Sequence, residues 1–345
     1  MSGLSPIIHI SYGLNILCNN EYPEFINKYL EVKELKRLKR IGQFCGCDYS
    51  KLFSINTWYS RFDHSISVAL IVWNFTKDKK ETLAALFHDL GTPAFSHCID
   101  FLMGDSVNQE SSERSVKDII LKSKQIIKLL KEDNISIEDV TDLSKYPVLE
   151  NKSPKLCADR LDGVLHTVLI WIHTYSLEEI KEIFKGITIL TNEEGIKELG
   201  FNKLDSALKF MDAVYQYSIV LQENEDKYIM SYFSTSIKKI VDLNIIKIDD
   251  LYLLNEKKII ELLEQNIKSF NLFRNSTKII RSNKEHSKYF SVSLPTKKRF
   301  VMPLCKINNE TPRLDKISKK VEELSNNYNN FKDTKYCYIE NIDFN

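Results

Sequence analysis

Apolar residues recur at intervals of three and four positions along most of the chain, which is the spacing of an amphipathic helix. Glycine and proline, with 10 and 8 copies, are too sparse for a sandwich or barrel with many turns. The periodic pattern predicts helices at residues 23–44, 62–76, 81–90, 115–131, 155–173, 177–185, 203–223, 226–242 and 256–270. The fold is therefore expected to be mainly α.

The pattern changes after about residue 285, where apolar and polar residues begin to alternate. Alternation of this kind is typical of strands. It occurs in KYFSVSL, RFVMPLC and KYCYIENI, and the first two are separated by the break PTKKR. We therefore expect a core over residues 1–220, followed over residues 221–345 by a helical extension and a small α+β C-terminal appendage.

Charge and cysteine content exclude several classes of protein. Lys+Arg is 48 and Asp+Glu is 47, so no overall field draws the chain toward nucleic acid or a membrane surface. No apolar run approaches the 18 or more residues of a membrane span. The 7 cysteines are scattered and form no CxxC pair, which is typical of a reduced, cytoplasmic protein.

Two of the 7 histidines lie close together in the stretch LAALFHDLGTPAFSH. One of them, His88, precedes Asp89 inside an apolar run. A packed core does not require such a pair, whereas a hydrolytic metal site needs imidazole and carboxylate ligands from several elements. His64 opens the preceding helix, and Asp159 lies in LCADRLDGVLH, whose apolar residues bury that helix. We therefore predict a metal site formed by His64, His88, Asp89 and Asp159.

Asp162 is a further candidate near this site. It follows Asp159 by three residues, so a helix presents both on a similar face. We expect it to support or compete with Asp159, and we assign it to the catalytic residues. Two imidazoles and two carboxylates suit one divalent Mn, Fe, Zn or Ni ion, with Mg also possible. A second metal is left open.

The order His64, His88-Asp89, Asp159 resembles the H…HD…D signature of the HD-domain metal-dependent phosphohydrolases. RFDHSISVA, ALFHDLGTPAFSH and ADRLD are similar to segments of the branch that includes the deoxynucleoside triphosphate triphosphohydrolases. LKRLKRIGQ is similar to the segment before the first ligand helix. The similarity spans about residues 30–175. It implies an HD-domain helical core that holds a divalent metal through the same residues.

The resemblance also implies roles for three other residues. Arg61 matches a phosphate-binding arginine, Arg160 matches a lysine that touches phosphates, and His97 matches a histidine of the active-site pocket. We expect Arg61 and Arg160 to bind substrate, and His97 to orient or protonate it. The implied reaction is attack of metal-activated water on a nucleotide or another phosphorylated small molecule. Relatives often form dimers or higher assemblies, so a homo-oligomer is a further expectation.

The substrate-recognition positions depart from the triphosphohydrolase pattern. Gln109-Glu110 stands where a His-Glu pair is usual, and glutamine cannot carry a proton as histidine does. We expect Gln109 to contact substrate, and Glu110, or alternatively Glu113, to replace the lost acid. The other departures are Thr92, Gly163, His166 and Thr167. They support hydrolysis as a class and weaken the case for a deoxynucleoside triphosphate.

Two other functions remain open from the sequence. One is a nucleotide sensor that retains the metal and nucleotide pocket but has little turnover, because Gln109 and Gly163 replace recognition residues. A basic strip at residues 33–40 is either a solvated helix face or a surface for nucleotide, nucleic acid or another subunit. The near-zero net charge makes nucleic acid the weaker of these partners.

Overall fold

A computed structural model describes residue 17 and residues 21–110 and 114–344 of the chain. Its α-helices are Asn27–Leu30, Lys33–Arg37, Arg61–Thr76, Lys79–Phe87, Cys98–Leu102, Val116–Lys122, Lys124–Glu132, Glu138–Thr141, Ala158–His166, Leu177–Lys185, Leu204–Val220, Asn224–Asp242, Glu256–Asn266, Phe270–Asn275 and Lys319–Asn330. A π-helical turn covers Thr167–Trp171. Short 3₁₀ turns cover Glu24–Ile26, Leu38–Arg40, Cys47–Tyr49, Leu143–Lys145, Ile248–Tyr252 and Leu314–Lys316.

The strands form two small sheets. Ile187–Thr191 and Lys197–Phe201 make an antiparallel hairpin, and Leu304–Cys305 adds to it in parallel. The second sheet has Tyr336–Tyr338 in the middle, antiparallel to Ile280–Ser282 and Ser291–Val292. The expected mainly helical fold with a small β part is therefore confirmed.

The Arg61–Thr76 helix is the central element of the site. Its start is set by a capping box, in which the Ser60 hydroxyl accepts from the Asp63 N–H and the Asp63 carboxylate accepts from the Ser60 N–H. Most of the helix is buried, including His64 at 1% exposure. This cap therefore fixes the direction in which His64 leaves the first turn.

The Lys79–Phe87 helix packs against the Arg61–Thr76 helix and ends earlier than its sequence pattern predicts. Asp78 caps its start by accepting from the N–H groups of Lys80 and Glu81. Its last helical residue is Phe87, so His88 and Asp89 lie in the turn that precedes Gly91. The turn lets these two adjacent side chains face one point.

Arg37 secures that turn from the other side. Its Nη2 donates to the carbonyl oxygens of Leu90 at 3.1 Å and Thr92 at 2.7 Å. Burial lowers the pKa of this arginine to about 10. One cation of the basic strip is thus a buried structural residue.

The helix predicted over residues 155–173 starts later, at Ala158, and widens after His166 into the π-helical turn. The pattern over residues 23–44 is divided into short helices and 3₁₀ turns. The helix predicted over residues 115–131 is two helices, because the Ser123 hydroxyl caps the second by accepting from the Ile126 N–H. Hydrophobic periodicity located these helices and did not detect the breaks.

The hairpin of residues 187–201 and the Lys319–Asn330 helix were not predicted. The hairpin carries a recognisable turn, because Asn192 accepts from the Ile196 N–H and Gly195 takes a φ of +77°. The strand predicted in RFVMPLC is only two residues long, and it joins the hairpin rather than the C-terminal sheet. The C-terminal β structure is therefore split between two sheets.

Two hydrophobic clusters form the core. The first surrounds the Arg61–Thr76 and Ala158–His166 helices and includes Val301, Met302 and Val321 from the C-terminal region. The second surrounds the Asn224–Asp242 helix. It also includes residues from the N-terminal half, among them Ile41, Phe44, Tyr59, Phe95 and Ile99. Each cluster thus draws on both halves of the chain, and the boundary at residue 220 stays a prediction.

Candidate metal centre and substrate cavity

Four side chains from three helical segments converge on one point. His64 Nε2 lies 3.0 Å from Asp159 Oδ1 and 3.8 Å from Asp89 Oδ2. His88 Nε2 lies 3.9 Å from Asp89 Oδ2 and 3.8 Å from Asp159 Oδ1. Ligand atoms that share one ion at bonds of about 2.1 Å are themselves roughly 3 to 3.5 Å apart. The spacing between His64 and Asp159 falls in this range, and the other three, at 3.8–3.9 Å, are slightly longer, so the side chains would close slightly around one divalent ion.

The hydrogen bonds of the two histidines leave the right nitrogens for a metal. His64 Nδ1 lies 2.6 Å from the Asp162 carboxylate, and His88 Nδ1 lies 2.6 Å from the Ala85 carbonyl oxygen. Both acceptors favour a proton on Nδ1 and hence a lone pair on Nε2. His88 Nε2 is also a buried atom without a hydrogen-bond partner. The donor set therefore fits a metal ion that lies between the two Nε2 atoms.

Asp162 lies beneath His64, and its side chain is fully buried. Its Oδ2 accepts from the Tyr59 hydroxyl at 2.9 Å as well as facing His64, and its Oδ1 lies 2.9 Å from His166 Nδ1. Burial raises the pKa of Asp162, but His166 and His64 lower it below its ordinary range. We infer that the ionised Asp162 carboxylate orients His64. In our proposal Asp162, which the sequence placed among the catalytic residues, is therefore a positioning residue.

The charges around the four side chains are balanced by neighbours. Asp89 Oδ2 accepts from Arg61 Nη1 at 3.0 Å, and its Oδ1 accepts from the Thr92 hydroxyl. Burial raises the pKa of Asp89, but Arg61 and the two histidines lower it below the ordinary range. Burial likewise lowers the pKa of His64, but hydrogen bonds with Asp159 and Asp162 raise it to about 10. Without a metal, a proton on His64 therefore occupies the position that the cation would take.

This proton predicts how metal affinity depends on pH. Because the metal-free His64 is protonated below a pKa of about 10, each Mn²⁺ ion that binds must displace at least one proton. We expect the apparent association constant to rise about tenfold per pH unit between pH 7 and 9. Calorimetry in two buffers of different ionisation enthalpy would count the released protons. An affinity independent of pH, with no proton release, would contradict the assignment of His64.

A second group, formed by Glu150, Cys157 and Asp159, also has ligand atoms close enough for a metal. Here a cation is already present, because Arg160 Nη2 lies 3.0 Å from Glu150 Oε1 and Arg160 Nη1 donates to Cys157 Sγ. Burial also raises the pKa of the Cys157 thiol, which opposes the thiolate that a metal needs. The first group is therefore the better candidate for a metal site.

The same contacts bear on the prediction that Arg160 binds substrate. Its guanidinium donates to the Asn151 side chain at 2.6 Å, to the Asn151 carbonyl, and to the Lys155 carbonyl at 2.8 Å. Together with the bond to Glu150, these hydrogen bonds engage most of the N–H donors of the Arg160 guanidinium with residues 150–157. Arg160 lines the cavity described below, and its role toward substrate stays a prediction.

A cavity of about 690 Å³ opens beside the four convergent side chains. Its wall includes the predicted site residues Arg61, His88, Asp89, His97, Gln109, Glu110, Asp159 and Arg160. Gly163, His166 and Thr167 also face it. A Cβ on Gly163 would meet no atom within 4 Å, so a larger side chain at this position would have open space. Glu113, the alternative acid, lies outside the described residues.

His97 and Gln109 meet in one hydrogen-bond network. His97 Nδ1 lies 2.9 Å from the buried Asp100 carboxylate, and its Nε2 lies 3.2 Å from Arg299 Nη2. The same nitrogen of Arg299 donates to Gln109 Oε1 at 2.7 Å. Glu110 is exposed at the rim, 3.5 Å from Lys297 Nζ. His97, Gln109 and Glu110 thus face the segment PTKKR and not the four convergent side chains.

Sequence reasoning missed Arg299 as a cavity residue, although it singled out PTKKR as the turn between two strands. His97 and Arg299 are 202 positions apart, and no local pattern signals a contact across that distance. Tyr59 was missed as well. It stacks on His166 with ring centroids 4.1 Å apart and donates to Asp162. The only sequence feature that pointed to Tyr59 is its position directly before the segment SRFDH.

Comparison with known proteins adds to this geometry. No protein-family model matches the chain. The metal-dependent phosphohydrolase cns2 of Cordyceps militaris is 29% identical over 137 residues, which are 39% of this chain and 39% of that protein. The chain is thus similar to a metal-dependent phosphohydrolase, in agreement with the resemblance of its sequence to the HD-type phosphohydrolases. The deoxynucleoside triphosphate triphosphohydrolase branch remains a prediction.

Two further proteins extend the match. The uncharacterized protein YdhJ of Bacillus subtilis is 26% identical over 206 residues, which are 59% of this chain and 61% of YdhJ. The matched region thus spans about three-fifths of YdhJ and about two-fifths of cns2. A solved phosphohydrolase structure from Bacteroides thetaiotaomicron shares the fold, with a TM-score of 0.59 and 16% identity over 94% of this chain and 96% of that chain.

The helices of the described residues do not meet the requirements of a membrane span. None of the helices within residues 21–110 and 114–344 combines the length and apolar character that a bilayer crossing requires.

Proposed function

We propose that this chain hydrolyses a phosphorylated small molecule, a nucleotide, with one divalent metal held by His64, His88, Asp89 and Asp159. The observation that carries the proposal is the pair of buried imidazoles whose Nε2 atoms face two carboxylates at the wall of a polar cavity. Bound there, a divalent metal would supply an activated water and polarise a phosphoryl oxygen. Mn, Fe, Zn and Ni suit these ligands, and Mg is possible.

Two residues of the chain would assist the metal, Arg61 by stabilising charge and Asp162 by orienting a ligand. Arg61 lies on the cavity wall beside Asp89 and also donates to the Ser96 hydroxyl, which fixes its guanidinium near the reacting phosphate. A fixed cation at that place stabilises charge that develops on the phosphoryl oxygens. Asp162 keeps His64 in one orientation.

His97 is poorly suited to protonate a leaving group. Burial lowers its pKa to about 4, so it is neutral at physiological pH, and its Nε2 accepts from Arg299. Glu150 is the alternative proton carrier, because it lines the cavity and burial together with the charge of Asp159 raises its pKa to about 7, although its ion pair with Arg160 opposes that rise. We therefore propose that His97 positions Arg299 and that Glu150, rather than Glu110, carries the proton.

The cavity has features that support a nucleotide substrate. Phe44 and Trp171 form an aromatic part of its wall, with ring centroids 5.0 Å apart. Trp171 Nε1 and Gln43 Oε1 are buried without a hydrogen-bond partner among the described residues. An aromatic surface with one donor and one acceptor is suited to a nucleoside, whose rings stack and whose polar groups need partners.

A matrix of metals and substrates tests this function. The purified protein, stripped by chelator and then supplied with Mn²⁺, Mg²⁺, Co²⁺ or Zn²⁺, would be incubated with nucleoside mono-, di- and triphosphates and with cyclic dinucleotides. Chromatography of the products would identify the bond that is cleaved. We expect turnover with at least one metal and none in chelator. Tight nucleotide binding with no turnover under any metal would favour the sensor function instead.

A further inference from the structure

The segment of residues 295–301 lies against one side of the cavity, far along the chain from the four convergent side chains. Its backbone is fixed at both ends, because Gln222 Nε2 donates to the Lys297 carbonyl at 2.9 Å and the Met302 N–H donates to the Pro154 carbonyl at 2.7 Å. Residues 297–299, Lys-Lys-Arg, all line the cavity. We call these three residues the basic strap.

Arg299 and Lys298 of the strap form no ion pair with a described carboxylate; Lys298 donates to the Asn329 carbonyl at 3.1 Å, whereas Arg299 points to two side chains of the cavity wall. Its Nη2 donates to Gln109 Oε1 at 2.7 Å and to His97 Nε2 at 3.2 Å. Gln109 is a neutral amide, and His97 is held by the buried Asp100 with its Nε2 as the acceptor. Among the described residues, no carboxylate forms an ion pair with Arg299, whereas Arg61 pairs with Asp89. Arg299 is thus held in place by neutral acceptors, and the buried Asp226 carboxyl, whose pKa burial raises to about 7, interacts with it without an ion pair.

The charges of the cavity show where an anion would bind. The carboxylates of Asp89 and Asp159 would face a divalent cation, and Asp89 also pairs with Arg61. Glu150, which pairs with Arg160, and Asp226 are the other carboxyl groups of this part of the wall. The strap keeps an excess of positive charge, because its one acidic contact is Lys297 with the exposed Glu110. A partly buried guanidinium without a counter-ion favours a phosphate, whose oxygens match its fork of N–H donors. The metal centre and the basic strap are therefore two separate positions at which anionic groups of one ligand would bind.

We propose that Arg299, supported by Lys297 and Lys298, binds a second phosphate group of the substrate, which makes the substrate a nucleoside diphosphate or triphosphate rather than a monophosphate. The proposal rests on the proposed function, because the first phosphate is the one at the metal. It also accounts for Gln109. An amide oxygen at that position accepts from Arg299 without adding a negative charge that would repel the phosphate.

Binding of inorganic phosphate and inorganic tripolyphosphate tests the strap without a reaction. Both anions would be titrated into wild-type protein and Arg299→Ala at one buffered free Mn²⁺ concentration, so that chelation is the same for each variant. We expect wild-type protein to bind tripolyphosphate at least 10-fold more tightly than phosphate. Arg299→Ala should weaken tripolyphosphate by about 10- to 100-fold and phosphate by less than about 3-fold. Arg299→Lys should recover part of the loss.

Lys306→Ala is the matched control, because it removes one positive charge from an exposed position of the same region, outside the cavity. An Arg299→Ala protein that keeps the wild-type preference for tripolyphosphate would overturn the proposal, as would an equal loss in Lys306→Ala. The metal is tested separately by repeating the titrations without Mn²⁺. If phosphate binding does not need Mn²⁺, the proposed function fails, while the difference between wild type and Arg299→Ala still reports on the strap.

Discussion

Replacing Asp89 with asparagine should reduce hydrolysis by about 1000-fold or more and should remove tight metal binding. The amide keeps the size of the side chain and can still contact Thr92, but it removes one of two negative charges among the four convergent side chains. Metal catalysis supplies several kcal/mol of transition-state stabilisation, and each 1.4 kcal/mol is a factor of ten in rate. The measurement is the rate of product release, with metal content determined on the same sample.

Asp205→Asn is the control for this variant, because it makes the same chemical change at an exposed position at the start of the Leu204–Val220 helix. It should keep wild-type activity and metal content. Far-ultraviolet circular dichroism would verify that both variants are folded. Wild-type turnover by a folded Asp89→Asn protein would remove Asp89 from the metal site.

Asp162→Asn should weaken metal binding by about 10- to 100-fold, although Asp162 does not face the cavity. The Asp162 carboxylate accepts from His64 Nδ1 and the Tyr59 hydroxyl and lies 2.9 Å from His166 Nδ1, whereas an amide turns one of its acceptors into a donor. His64 would then lose the partner that keeps its proton on Nδ1. Breaking this buried network should also lower the free energy of unfolding by about 3 kcal/mol. Calorimetric metal titration and denaturant unfolding measure the two effects.

Asp212→Asn provides a matched control for Asp162→Asn. Asp212 also accepts from a tyrosine hydroxyl, that of Tyr175, at 2.9 Å, but it lies outside the cavity. Its variant should lose some stability and no metal affinity. If Asp162→Asn loses stability but binds metal as tightly as wild type, Asp162 stabilises the fold and does not set the orientation of His64.

Much of the fold could be predicted from the sequence, because helical periodicity is a local signal. It located most helices, and the inward-facing pattern around Asp159 selected a residue whose side chain does lie beside His64 and His88. The π-helical turn after His166 and the break at Ser123 depend on tertiary packing or on one hydroxyl, and periodicity does not reveal either. The hairpin of residues 187–201 was missed within a run of predicted helices.

The arrangement of the cavity was less predictable than its metal candidates. Asp162 was placed near the site by its spacing from Asp159, but its bonds to Tyr59 and His64 cross about a hundred positions of the chain. Arg299 lies about two hundred positions from His97 and Gln109. Without a second sequence to show covariation, such contacts have no local signature, so the strap became visible only in three dimensions.

The most direct test of the account is to locate the metal. Crystals of the protein grown with millimolar Mn²⁺ would be measured by anomalous diffraction. The account predicts one strong peak at about 2.0–2.3 Å from His64 Nε2, His88 Nε2 and oxygens of Asp89 and Asp159. A peak bound instead by Glu150 and Cys157, or no peak among these residues at that Mn²⁺ concentration, would contradict the metal centre on which the proposed hydrolysis depends.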